Sequence, residues 1–216
     1  MEGRVNQCSS KSRTKTIFFD VGGVCLTNGW NEEARRKAET LFALDAGEME
    51  RRHRPLLEGF ERGEISLNEY LDQVIFHKKR PFSRAEFFQF MKDASTPHET
   101  TFETLQRLKG ESRYLLATLN NESLELNRYR IEEFGLGNYF TVFFSSCFLG
   151  VRKPAPRIFQ MALQVTQCSA GECLFIDDRE ENVRAAEALG MRIIWLKEVE
   201  KLAEELKAHG ISMEQV

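Results

Sequence analysis

Short apolar runs alternate with longer amphipathic stretches along most of this chain, and polar residues follow several of the runs at once. Thr16-Ile17-Phe18-Phe19 is followed by Asp20, Tyr114-Leu115-Leu116-Ala117 by Thr118, and Leu174-Phe175-Ile176 by Asp177 and Asp178. Thr141-Val142-Phe143-Phe144 leads to the stretch Gly150-Val151-Arg152-Lys153-Pro154. Brief continuous apolar runs mark strands buried on both faces, as in a parallel sheet. From His98 onward the pattern predicts helix 99–108, strand 113–117, helix 122–134, strand 139–144, helix 155–165, strand 173–176, helix 180–189, strand 191–196 and helix 198–208. Gly110, Gly135 and Gly190 stand where helices should end, and Pro154 is expected to open the next helix at its first position. Repeated strand–helix–strand units imply right-handed crossovers and a parallel sheet. The first strand should be central, between the strands that precede Thr118 and Asp177.

Between the first strand and His98 the pattern changes. Residues 31–44 are rich in good helix formers. A second helix is expected over 46–61, stopping at Gly63. Ser66 with Glu69 is a capping box for a third helix over 67–77, and Ser83 with Glu86 repeats that signal after Pro81. The expected organisation is a disordered tail over 1–15, a core over 16–28 and 95–216, and a helical cap over 29–94 lying across the sheet's rim. The fold class is α/β: a Rossmann-like parallel sheet sandwiched by helices, with an inserted all-helical cap.

Composition narrows the function. Hydrophobic residues are 42% of the 216, enough for a sizeable core, and the net charge of -3 argues against a nucleic-acid partner. No apolar run is long enough to span a bilayer, and the basic tail lacks the apolar middle of a secretory signal. Five cysteines without zinc-type spacing fit a reducing, cytoplasmic setting. Cys25 reads as a small apolar filler after the first strand rather than a nucleophile.

Ligands of open α/β sheets bind at the carboxyl ends of the strands. One acid, one hydroxyl, one ammonium and an acid pair therefore meet at one rim. Asp20 is followed by Gly22 and Gly23, which let backbone approach a ligand closely; alone, such an Asp also serves as an ordinary turn former. The adjacent Asp177 and Asp178 repel unless a cation relieves them, and magnesium suits oxygen ligands beside a phosphate; a helix N-terminus also favours acids. Asn182, one turn later, reaches the same ion through water. Lys153 suits a phosphoryl group's charge, although single lysines are commonly surface residues. Thr118 offers a hydroxyl, or is satisfied within its strand.

The order of these motifs resembles the haloacid dehalogenase-like (HAD) hydrolase superfamily. The motifs are Phe18-Phe19-Asp20-Val21-Gly22-Gly23-Val24, Leu115-Leu116-Ala117-Thr118, Gly150-Val151-Arg152-Lys153-Pro154 and Phe175-Ile176-Asp177-Asp178-Arg179. Glu58-Gly59-Phe60-Glu61-Arg62-Gly63-Glu64-Ile65-Ser66 is similar to the family's helical cap. Within the family the chain looks most like bacterial glucose-1-phosphate phosphatase-like members and the phosphatase domain of soluble epoxide hydrolases. The resemblance implies a magnesium-dependent phosphatase acting on a small phosphorylated metabolite, with no nucleic-acid or membrane partner; it does not specify an oligomeric state. Asp20 would be the nucleophile, with Thr118 and Lys153 as further catalytic residues. Gly22, Gly23, Thr118, Asn120 and Lys153 would surround the phosphate. Asp20, the Gly22 carbonyl and Asp178 would hold the metal, supported by Asp177 and Asn182.

Two departures stand out. Family phosphatases carry a second Asp two residues after the nucleophile, as general acid and base, where this chain has Gly22. Leu119 replaces the Asn that commonly follows the hydroxyl residue. His53 and Glu58 of the cap are candidates for the missing proton donor. A weak or inactive binding module on the same fold is the alternative reading; a haloacid dehalogenase fits less well, because it usually lacks the acid pair. Arg51, Arg52, His53 and Arg54 read as a solvated basic face.

Overall fold

The computed structural model describes residues 14–213, so most of the expected tail lies outside the described residues. Strands β1 (Thr16–Phe19), β2 (Leu115–Asn120), β3 (Val142–Ser145), β4 (Cys173–Asp177) and β5 (Arg192–Trp195) form one parallel sheet in the order β3-β2-β1-β4-β5. The central strand is β1, flanked as the pattern predicted. Phe19 lies beside Thr118 on one side and Ile176 on the other. One step further along this register brings Asp20 level with Asp177.

Helices α1 (Glu32–Leu41), α2 (Ala46–His53), α3 (Leu57–Glu61), α4 (Leu67–Val74) and α5 (Arg84–Asp93) all fall between β1 and β2, followed by α6 (Glu99–Gly110). After β2 come α7 (Leu124–Glu133), α8 (Ser146–Leu149), α9 (Pro156–Thr166), α10 (Glu180–Ala188) and α11 (Leu202–Ala208). Both capping boxes form: Ser66 and Glu69 start α4, and Ser83 and Glu86 start α5. Such a cap stabilises a helix by about 1 kcal/mol.

Two apolar cores cover the two faces of the sheet. Ile17, Phe19 and Leu116 pack with Leu105, Leu108, Leu202 and Leu206 of α6 and α11. Phe18, Ala117, Leu119 and Phe175 pack with Ile158, Phe159, Val183 and Ala186 of α9 and α10. The inserted helices carry a core of their own, built on Trp30, Ala38, Phe60, Tyr70, Leu71, Phe87 and Met91. Among the described residues no helix is long and apolar enough to cross a membrane.

Several local expectations need correction. Residues 46–61 form two helices, α2 and α3, because Pro55 lacks the N–H and crowds the turn before it. The third strand starts at Val142 rather than Tyr139: the Tyr139 and Phe140 amides donate to the Leu136 carbonyl and leave the ladder. Pro156, not Pro154, opens α9. Thr14 is buried and the Lys15 amide donates to the Glu172 carbonyl at 2.8 Å, so the end of the expected tail is tied to the segment that leads into β4.

Candidate active site

Three carboxylates and one ammonium meet at the carboxyl ends of β1 and β4. Lys153 Nζ lies 3.0 Å from Asp20 Oδ1 and 2.5 Å from Asp177 Oδ2, and it is almost wholly buried. Burial pulls the lysine toward neutrality, but Asp177 and Asp20 outweigh it and hold Lys153 above its ordinary pKa. Burial pushes the Asp20 carboxyl up; Lys153 opposes this, and Asp177 and Asp178 add to the rise. Asn182 on α10 donates from Nδ2 to both oxygens of Asp177 at 3.0 Å, and the Arg179 amide donates to Asp177 Oδ1. Asp177 is thus saturated by protein donors and orients Lys153. The lysine is fixed from behind as well: Asn121 accepts from the Lys153 amide at 2.8 Å and donates to its carbonyl at 2.9 Å.

Carboxyl oxygens of Asp20, Asp177 and Asp178 lie within 4.8 Å of one another. Asp178 Oδ2 accepts from Asn28 Nδ2 at 2.9 Å, while its Oδ1 is buried without a partner among the described residues. An unpartnered buried carboxylate oxygen is costly, and three acids around one ammonium leave negative charge over. An all-oxygen set of this kind fits a hard divalent cation such as magnesium. Gly23 makes the close approach possible. Its φ is +77°, and a Cβ there would lie 2.2 Å from Asp178 Oδ2. Gly22 borders the adjoining cavity.

Thr118 and Asn120 are placed differently from expectation. Side chains alternate across a strand, so Leu116, Thr118 and Asn120 share one face of β2. Thr118 sits beside Phe19, one row below Asp20; it is fully buried, its hydroxyl has no partner among the described residues, and it does not line the cavity. Asn120 is buried in a closed polar ring: it donates to Asn127 Oδ1, Asn127 donates to Ser145 Oγ, and Ser145 donates back to Asn120 Oδ1. Leu119 holds the register position level with Asp20 and is buried in the other core. The polar contact from this loop comes from Asn121 instead.

A cavity of about 250 Å³ opens over the rim, bordered by Asp20 and Lys153 below and by Trp30, His53, Phe60 and Glu61 of the inserted segment. Glu61 pairs with Arg152 at 2.6 Å, yet burial, reinforced by Glu122, raises its carboxyl above the ordinary range. Arg130 on α7 pairs with Glu122 at 2.7 Å and donates to Ser95 Oγ. Sequence reading missed Glu61, Arg130 and Glu122, since nothing local separates them from surface charges on amphipathic helices. Glu58 is exposed, bonded to Arg62 and absent from the cavity lining. Of the basic cluster 51–54, His53 turns inward and is buried. Cys25 is buried beside Asp20, its Sγ donating to the Asp20 carbonyl, and burial pushes its thiol far above the ordinary range. It is an inert filler.

A carboxylate-rich rim on a parallel sheet, roofed by inserted helices, defines a capped Rossmann-like enzyme. The sequence matches the haloacid dehalogenase-like hydrolases over residues 14–190, and the chain belongs to that family. It is 30% identical to the sesquiterpene phosphatase astK of Aspergillus oryzae over 82% of this chain and 87% of that one. It is 24% identical to flavin mononucleotide hydrolase 1 of Arabidopsis thaliana over 96% of this chain and 82% of the relative. Among solved structures, a HAD family enzyme of Bacteroides thetaiotaomicron, BT-2542, superposes with a TM-score of 0.78 at 20% identity, covering 90% of this chain and 98% of that one. A form of that enzyme in complex with magnesium and inorganic phosphate superposes at 0.71, over 84% of this chain and 93% of that one, also at 20% identity.

Proposed function

We propose that this protein is a magnesium-dependent phosphatase that hydrolyses a small phosphorylated metabolite through an aspartyl-phosphate on Asp20. The observation that carries the reading is the Asp20–Lys153–Asp177 cluster beside an unpartnered Asp178 oxygen, at the floor of a roofed cavity. An Asp20 oxygen attacks phosphorus, the bond to the leaving oxygen breaks, and that oxygen takes a proton. Water then attacks the acyl-phosphate, releasing phosphate and restoring Asp20. Lys153 stabilises negative charge on the phosphoryl oxygens as the bonds exchange. Asp20, the Gly22 carbonyl and Asp178 would hold magnesium, with Asp177 and Asn182 behind them. When bound, the ion supplies positive charge that offsets the clustered carboxylates and the phosphoryl oxygens.

Gly22 offers no proton to the leaving group. Glu61 is the candidate donor: it lines the cavity, and burial raises its carboxyl above the ordinary range against the pull of Arg152. The cavity's volume supports a small substrate; pockets for drug-sized ligands run to roughly 300–1,000 Å³. The sesquiterpene and flavin relatives act on larger molecules by name, which makes size the first variable to screen. A non-catalytic module gains no support from this geometry, and the acid pair favours phosphate chemistry over dehalogenation.

The test is phosphate release from a panel of phosphorylated metabolites with magnesium present. Turnover should vanish in Asp20→Asn and on chelation. Full turnover in a pure, folded Asp20→Asn protein would rule out the covalent mechanism.

A further inference from the structure

We propose that His53 selects substrates whose organic part carries an uncharged oxygen, a hydroxyl or a carbonyl, by donating a hydrogen bond from Nε2 into the cavity. This rests on the phosphatase reading of the same site. The assignment follows from counting protons in a buried chain of three side chains. Trp30 Nε1 lies 2.8 Å from Tyr70 Oη, and Tyr70 Oη lies 2.7 Å from His53 Nδ1. An indole N–H can only donate, so Tyr70 Oη accepts from Trp30. Tyr70 is fully buried, and its own proton needs an acceptor. His53 Nδ1 is the acceptor beside it. A proton on Nδ1 would face the hydroxyl and leave the Tyr70 proton buried and unpartnered, which is costly. His53 is therefore the neutral tautomer with its proton on Nε2.

The remaining geometry leaves that proton for a ligand. His53 ends α2 and borders the cavity, and Nε2 has no partner among the described residues. Tyr70 is locked in turn by stacking on Phe60, with ring centroids 4.1 Å apart. Burial, then the neighbouring Arg35 and Arg54, push the imidazole pKa down to about 4 against Glu50, consistent with a neutral ring. A neutral imidazole is a hydrogen-bond donor, not a reservoir of acid, so His53 does not take over the task that Gly22 leaves open. Lys153 and Asp20 fix the phosphoryl end at the sheet; His53 lies on the cap side with Trp30 and Phe60, where the carbon skeleton extends. A hydrocarbon chain there would strand the Nε2 proton. A polyol or oxo-acid phosphate would satisfy it.

The experiment has two arms. In the first, the ¹⁵N shifts of His53 are read at neutral pH in the full chain. A bare Nδ1 and a protonated Nε2 are expected, with Tyr70→Phe shifting the ring to mixed tautomers. A protonated Nδ1 in the parent, or no change in Tyr70→Phe, would overturn the relay whether or not the protein is a phosphatase. The second arm compares kcat/KM for pairs of alkyl phosphates that differ by one hydroxyl, glycerol 3-phosphate against propyl phosphate among them. The parent should favour the hydroxylated member of at least one pair by about tenfold or more, and His53→Leu should bring that ratio toward one. A parent that discriminates in no pair, or a His53→Leu protein that keeps the preference, would overturn the selectivity. Absence of turnover on every phosphate, with the expected tautomer present, would strike the phosphatase reading and with it the selectivity, leaving only the relay.

Discussion

Arg130 stands beside the space that a side chain on Gly22 would enter. A Cβ at Gly22 would lie 3.8 Å from Arg130 Nη1, with Asn28 Oδ1 the nearest atom at 3.1 Å. The backbone at Gly22 is outside the left-handed region, so a side chain there carries no conformational penalty. The position that family phosphatases fill with an acid admits a Cβ here only if the Asn28 side chain gives by a few tenths of an ångström, and it faces a guanidinium.

Gly22→Asp should therefore fold, with a melting temperature lowered modestly by the shift it demands of Asn28. Its carboxylate would be held ionised by Arg130 and would make a poor proton donor. A working general acid contributes roughly 10²–10⁴-fold; this variant should gain less than about tenfold on alkyl phosphates. Steady-state rates on propyl phosphate decide it, and a gain of about a hundredfold would show that Arg130 does not control the new acid.

Gly23 has the opposite constraint. With a φ of +77° and Asp178 Oδ2 2.2 Å from any added Cβ, Gly23→Ala must either distort the turn or push Asp178 aside. The backbone alone costs about 1–3 kcal/mol. A lower melting temperature and about tenfold weaker magnesium binding by calorimetry are expected. Unchanged magnesium affinity would separate Asp178 from the cation site.

The strand ends were the most legible part of this chain, because a buried parallel strand leaves an unbroken apolar run and its first polar residue lands on the rim. Asp20, Asp177 and Asp178 follow that logic, and the two capping boxes follow an equally local one. Thr118 shows where it stops. The run Leu115–Ala117 ends at Thr118, but β2 continues to Asn120, so the hydroxyl sits a row below the rim and faces a core. Lys153 lies beyond a loop whose course is set by the Asn121 amide clamp, a contact between distant segments. Glu61, Arg130 and the Trp30–Tyr70–His53 chain are invisible to periodicity for the same reason: each depends on which helix faces which across the cavity.

Glu61→Gln tests the proton supply. The substitution keeps the shape while removing the acid. Rates on alkyl phosphates, which need their leaving oxygen protonated, should fall about 10²-fold, while aryl phosphates with acidic leaving groups should change little. A plot of rate against leaving-group pKa reads the difference directly. Equal losses on both classes would mean that Glu61 only holds Arg152 in place.

His53 also makes stability depend on pH in a way whose sign follows from its lowered pKa. Its ordinary value is 6.5, and burial among Arg35, Arg54, Glu50 and Tyr70 brings it to about 4. The unfolded chain therefore binds a proton that the folded protein refuses between these values. Stability falls as pH drops from about 6.5 to about 4 and is constant from this group on either side. The full effect is roughly 3 kcal/mol, from 1.36 kcal/mol per pKa unit. Asp20, with a raised carboxyl, acts in the reverse direction over an overlapping range, so the informative quantity is a difference between proteins. Urea melts of the parent and of His53→Gln across this range should show the parent losing stability faster on acidification. Parallel curves would mean that His53 is protonated as readily in the fold as out of it, contrary to its place behind Tyr70.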